Sequence, residues 1–141
     1  MTPAPSEIRD PITYGIIGCA IAVHRELGPG MRESAYEKSL VVAFGQAGLN
    51  FKRQPAVDLT YAGTVVGKSY RPDFVVEGVV VEVKSVAYFQ PIHRAQVLTY
   101  MKLARHQIGL LINFNVEYLI HGVQRLILTQ DETHAEAKDQ P

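Results

Sequence analysis

Residues 70–84 read YRPDFVVEGVVVEVK, and this stretch decides the fold. Two valine-rich runs flank Glu77-Gly78, a pair suited to a two-residue hairpin turn. With that turn Val76 faces Val79, and counting outward sets Asp73 against Glu82 and Arg71 against Lys84. Residues directly opposed across an antiparallel pair have Cβ atoms roughly 4.5–5.5 Å apart and share a face. Two carboxylates are therefore expected side by side on a sheet made of valine. Like charges so placed repel, and burial raises the cost. A shared proton, a basic partner or a divalent cation must compensate. Lys84, two residues beyond Glu82, points to the same face. Asp73, eight residues, then Glu82-Val83-Lys84 suits a hard metal with a cation beside it. Taken alone, the spacing favours a plainer reading, an exposed ladder in which Arg71 and Lys84 neutralise the two acids.

Beyond the hairpin, residues 90–105 have helical periodicity, with Pro91 near the start. Ile92, Val97, Met101, Leu103 and Ala104 project to one broad face, and Arg94, Lys102 and Arg105 lie opposite. Gln96 and Tyr100, at i and i+4, fall within the apolar face together with His93. A glutamine placed there needs hydrogen-bond partners, either in the backbone or toward the rim of the sheet. Leu98 falls among the polar residues, as a contact surface would. Residues 108–114 form a continuous apolar run, the mark of a strand buried on both faces, and 123–128 read as a final, weaker strand. A helix between two buried strands implies a parallel crossover and hence a mixed sheet.

Upstream of the hairpin, Val57, Leu59 and Tyr61 alternate with Asp58 and Thr60, and Ala62-Gly63 turns the chain into a strand at 64–67. Earlier still, Asp10-Pro11 reads as an N-cap followed by proline at the first helical position, opening a helix over 11–26. Gly28-Pro29-Gly30 breaks it. A second helix covers 32–46, with Tyr36, Leu40 and Phe44 on one stripe. Glu33 lies beside that stripe. An acid there suits the helix dipole or a cap, or else supplies a third carboxylate to the acids of the hairpin. The order of helix, helix, antiparallel strands, helix, strand, strand describes an α/β layered domain.

Composition narrows the function. A chain of 141 residues, 47% hydrophobic, can bury a core without metals or disulfides to hold it together. One cysteine, Cys19, excludes a disulfide framework and a cysteine-based zinc site. His24, His106, His121 and His134 lack metal-ligand spacing. The formal net charge is zero, but residues 8–130 hold 13 basic and 9 acidic side chains. That balance argues against indiscriminate coating of nucleic acid and leaves room for localised attraction to a polyanion. The apolar run at 15–23 is about half a membrane span, and no basic segment precedes it, so a cytoplasmic protein without a membrane segment is expected. Residues 1–7 read as a disordered arm, 8–129 as the domain, and 130–141 as a disordered tail.

Gly30-Met31-Arg32-Glu33-Ser34-Ala35-Tyr36 reads G-x-x-E-x-x-Y. With Gln54, Tyr61, Tyr70-Arg71-Pro72-Asp73, Glu82-Val83-Lys84, His93-Arg94-Ala95-Gln96, Tyr100 and residues 109–114, the chain resembles the GxxExxY proteins of the PD-(D/E)XK nuclease superfamily. The resemblance covers roughly three quarters of the sequence. It implies a restriction-endonuclease-like core, a mixed central sheet flanked by helices. It also implies a metal-dependent nuclease that hydrolyses phosphodiester bonds of nucleic acid, DNA before RNA, with Mg²⁺ as cofactor and Mn²⁺ as a substitute. By that analogy Asp73 and Glu82 are metal ligands, Glu33 is a direct or water-mediated ligand, and Lys84 is catalytic. Gln96 and Tyr100 then line the site and contact substrate, and Arg71 is a candidate for gripping a phosphate. The alternative is a non-catalytic module that keeps the fold and binds nucleic acid or protein. A third reading gives the strand at 123–128 an association role, through which the chain would form a homodimer.

Overall fold

The computed structural model describes residues 10–129; the expected arm at 1–7 and tail at 130–141 lie outside them. Helix α1 runs Pro11–Leu27. Asp10 caps it, accepting hydrogen bonds from the Ile12 amide and the Thr13 hydroxyl. Helix α2, Glu33–Gln46, packs on α1 and buries Tyr36, Leu40 and Phe44, residues four apart and hence on one side of the helix. Both helices cover one face of the sheet. There Val79, Val81 and Val83 join Leu110 and Ile112 in the larger of two cores.

The main sheet has five strands: β1 (Phe51–Arg53), β4 (Phe74–Val76), β5 (Val79–Lys84), β6 (Ile108–Asn113) and β7 (Val123–Ile127), in the order β1-β4-β5-β6-β7. The expected hairpin register holds, Phe74 facing Val81 and Val76 facing Val79. Glu77 and Gly78 both have positive φ, 49° and 83°, as a two-residue turn matched to strand twist requires. Glu77 is held in that conformation from outside: its amide donates to Asn50 O, and its carboxylate accepts from the Asn50 amide at 2.9 Å. Strands β5 and β6 run parallel, Val80 beside Gly109 and Lys84 beside Asn113. Helix α3, Pro91–Ala104, crosses between them and covers the second face, where Val97, Met101, Val80, Leu111 and Leu126 form the smaller core. Met101 and Val97 rest on Gly109 so closely that a Cβ there would meet the Met101 sulfur at 2.7 Å.

Four expectations need correction. Strand β1 escaped the sequence reading: it is three residues long, two of them cationic, and pairing with β4 alone defines it. Strands β2 (Asp58–Tyr61) and β3 (Thr64–Lys68) pair only with each other, as a separate two-stranded arm whose residues are all exposed. Alternation in β2 therefore records no buried face. On α3, Ile92 and Leu103 are exposed, because they sit at the helix ends where the sheet no longer covers them. Leu98, expected on the polar side, is half-buried against the smaller core.

The loop between α1 and α2 is tied on two sides. The Tyr36 hydroxyl donates to Gly28 O at 2.6 Å and accepts from the Met31 amide, while its ring stacks on Phe114. Ser85, just past β5, donates to Met31 O at 2.7 Å. In G-x-x-E-x-x-Y the tyrosine is thus a strut that sets where Glu33 begins its helix. Tyr36→Phe keeps the stacking and removes both hydrogen bonds, so stability should fall by roughly 1–2 kcal/mol, read as a lower urea midpoint with an unchanged slope.

Candidate active site at the open end of the hairpin

Strand β4 begins at Phe74, and there its main-chain pairing with β5 stops. One residue earlier, side chains take over. The Asp73 carboxylate accepts from the Val83 amide at 2.7 Å, and the Glu82 carboxylate accepts from the Asp73 amide at 3.1 Å. Each acid thus satisfies backbone on the other's strand, which locks the two together as the register predicted. The ladder does not continue to Arg71, so the expected Arg71–Lys84 pairing is not made. Arg71 is exposed, and the exposed ion-pair ladder does not exist.

Glu82 is 2% exposed. Its Oε2 lies 3.5 Å from Lys84 Nζ. That ion pair, at the outer edge of hydrogen-bond range, is the contact Oε2 has, and no hydrogen bond of ordinary geometry reaches it. Burial pushes the Glu82 carboxyl up to about 7, Glu33 adds to the rise, and Lys84 and the Asp73 amide oppose it. Burial likewise pushes Asp73 up to about 7; the neighbouring Glu37 carboxyl raises it further, while the Val83 amide and Lys84 pull it down. Burial outweighs these opposing influences, so both carboxyls stand above the ordinary carboxylate range.

The remaining residues singled out by sequence are distributed as follows. Glu33 opens α2 and is half-buried within electrostatic reach of Glu82. Gln96 is half-buried on α3. Tyr100 is 3% exposed and lines a groove of about 530 Å³ with Val75, Gly78 and His106, toward the turn rather than the acid end of the hairpin. His93 closes a capping box with Gln90, which accounts for its place on the helix. His24 donates to Val116 O, and Cys19 is buried.

Sequence reasoning missed two neighbours. Glu37 was not singled out by the sequence; its spacing of four from Glu33 was the available signal. Asn113, beside Lys84 in the parallel pair, accepts from the Val86 amide and donates to Val86 O at 2.8 Å. It fixes the backbone that leaves β5 just after Lys84.

A family model described as the PD-(D/E)XK nuclease superfamily matches residues 10–126. The chain belongs to that superfamily, whose members are as a rule hydrolytic nucleases that use a divalent metal and act on nucleic acid. Comparison with curated proteins found no match, and comparison with solved structures found none. Among the described residues no helix is long and apolar enough to cross a membrane.

Among the described residues no three His, Cys, Asp or Glu side chains converge as a ready-made metal cluster. The donor set nonetheless fits a hard cation that keeps most of its waters, since Mg²⁺ is usually held by one or two carboxylates plus water and substrate phosphate. The buried Glu82 Oε2, which has no hydrogen-bond partner and only the Lys84 ammonium near it, is the observation that makes the fit.

The raised carboxyls carry a pH signature. Their folded values lie above ordinary unfolded ones, so between about pH 4 and 7 the folded chain binds more protons than the unfolded chain, and stability falls as pH rises. In EDTA the Tm at pH 5 should exceed that at pH 8. Asp73→Asn should flatten the slope, and added Mg²⁺ should raise the Tm at pH 8, all read by thermal denaturation.

Proposed function

We propose that the chain is a metal-dependent nuclease of the GxxExxY group, hydrolysing phosphodiester bonds of DNA in the cytoplasm with Mg²⁺, for which Mn²⁺ substitutes. The observation that carries this reading is the buried Glu82 carboxylate, whose Oε1 accepts from the Asp73 amide while Oε2 faces only the Lys84 ammonium at 3.5 Å. In this reading Asp73 and Glu82 hold the cation, with Glu33 reaching it directly or through water from the start of α2. When bound, the cation supplies positive charge to the phosphate and a more acidic water.

The chain's own residues do the rest. The two backbone hydrogen bonds keep the carboxylates from swinging toward solvent, so the site is preorganised before substrate arrives. The Lys84 ammonium, half-buried beside Glu82, directs the attacking water and offsets charge that grows on the phosphate oxygens. Arg71, exposed next to the acid end, takes a flanking phosphate, and Gln96 contacts substrate from α3, whereas Tyr100, buried toward the turn, is kept from it. Strand β7 ends the sheet and leaves Ile127 half exposed, so it is the edge through which two copies would pair.

Asp73→Asn retains a side-chain oxygen for the Val83 amide, and Lys84→Ala removes only the ammonium and its stem. Each should lower Mg²⁺-dependent cleavage of single- or double-stranded DNA by roughly 10²–10³-fold while leaving the circular dichroism spectrum unchanged. Cleavage that survives both changes would reject the reading, and binding without turnover in Mg²⁺ or Mn²⁺ would assign a binding module instead. Light scattering should report twice the chain mass; a single-chain mass would dismiss the dimer.

A further inference from the structure

Residues 51–71 hold all of the net positive charge of the described chain. Lys52, Arg53, Lys68 and Arg71 stand there against Asp58 alone, whereas the other described residues carry eight basic and eight acidic side chains. All four cations are exposed. Asp58 pairs with Lys68 across the β2–β3 arm, and among the described residues no acid forms a salt bridge with Lys52, Arg53 or Arg71. The segment is rooted beside the acid pair. Arg53 pairs with Phe74, the Gln54 amide donates to Asp73 O at 3.0 Å, and Arg71 lies two residues before Asp73. Val57 packs on the smaller core, and Ser69 is buried with its hydroxyl accepting from the Val57 amide at 3.0 Å, so the arm leaves the body from a fixed base.

Beyond that base the arm is a bare ribbon. Its strands of four and five residues, at about 3.3 Å each, reach roughly 15 Å. The register sets Leu59 and Tyr61 on one face and Thr60 and Val65 on the other, with Val66 the extra residue of a bulge. Apolar side chains therefore stand in solvent on both faces, Tyr61 76% and Val65 57% exposed. A flat partner, or a second copy adding a strand, would cover one face or one edge and leave the rest in water. A groove covers both faces. The major groove of B-form DNA, about 12 Å wide, admits a two-stranded ribbon, and its thymine methyls take apolar contacts. We propose that the β2–β3 arm enters the major groove of duplex DNA, while Lys52, Arg53 and Arg71 at its root meet neighbouring phosphates. This inference rests on the reading of the chain as a nuclease acting on DNA, and assigns it the double-stranded form.

Fluorescence anisotropy with a labelled duplex in EDTA tests it without cleavage. The double variant Tyr61→Ala, Val65→Ala should bind duplex about tenfold more weakly at an unchanged melting temperature and salt dependence. Lys52→Gln with Arg53→Gln should instead lower the slope of log affinity against log salt by about 2. Tyr14→Ala, exposed on α1, should change nothing. Single-stranded DNA of the same sequence should bind the wild-type chain more weakly than duplex does, and the arm variant equally well. On the wild-type chain, 5-iodouracil placed in the duplex should photocrosslink within residues 58–68, a readout that needs no variant to fold. Duplex affinity untouched by the arm variant, an equal loss for single strands, or crosslinks confined to other segments overturns the inference. An arm variant that only halves the mass in solution assigns the arm to contact between copies and overturns it too. Wild-type chain that does not bind duplex at low salt also overturns it; cleavage of single-stranded DNA by that chain would leave the nuclease reading standing, and cleavage of neither form would remove both.

Discussion

The structure turns on an exchange of hydrogen bonds at the end of one hairpin, where each of two acids accepts from backbone of the facing strand. These bonds replace the main-chain ladder where β4 has run out. They also force two negative charges into a space with little water. A surface pair would gain nothing from this arrangement, since solvent already screens it. Here burial outweighs the help from Lys84 and the amides, and both carboxyls are pushed up to about 7. The chain keeps an unfavourable electrostatic arrangement in an otherwise well-satisfied core, the pattern expected where function rather than stability sets the residue.

The rest of the fold serves to hold that arrangement still. Valines on alternate faces of β5 anchor it to both layers, so the strand that carries Glu82 and Lys84 is, with β6, the most enclosed in the sheet. The parallel neighbour β6 ends in Asn113, whose side chain clamps the backbone after Lys84. On the opposite layer, Tyr36 and Ser85 pin the loop before α2, which fixes where Glu33 and Glu37 come down on the sheet. The motif residues of that helix therefore differ in burial. Tyr36 is fully buried and braces, whereas Glu33 remains half-buried beside the acids.

The β2–β3 arm follows different rules. Its base is closed by the Asp58–Lys68 pair and by Ser69, whose amide donates to Val57 O while its hydroxyl accepts from the Val57 amide. No apolar face of the arm is covered, and Leu59, Tyr61, Val65 and Val66 all stand in solvent. A two-residue alternation identifies a strand here without identifying a core, because pairing geometry alone produces the period.

Much of this molecule was legible in its sequence. Period-two valines around a turn-forming Glu-Gly pair determined the hairpin and its register, and with them the meeting of Asp73 and Glu82. Aspartate and proline at residues 10 and 11 determined the start of α1, and the spacing of Tyr36, Leu40 and Phe44 determined which side of α2 is buried. These are local constraints, set by chain geometry within a few residues. What packing alone decided is of another kind: the existence of β1, the isolation of the β2–β3 arm, the exposure of Ile92 and Leu103, and the approach of Glu37 to Asp73. Each depends on which segments distant along the chain end up as neighbours. A helix stripe or a strand period carries no information about the partner that covers it, so only the folded arrangement could decide which segments meet.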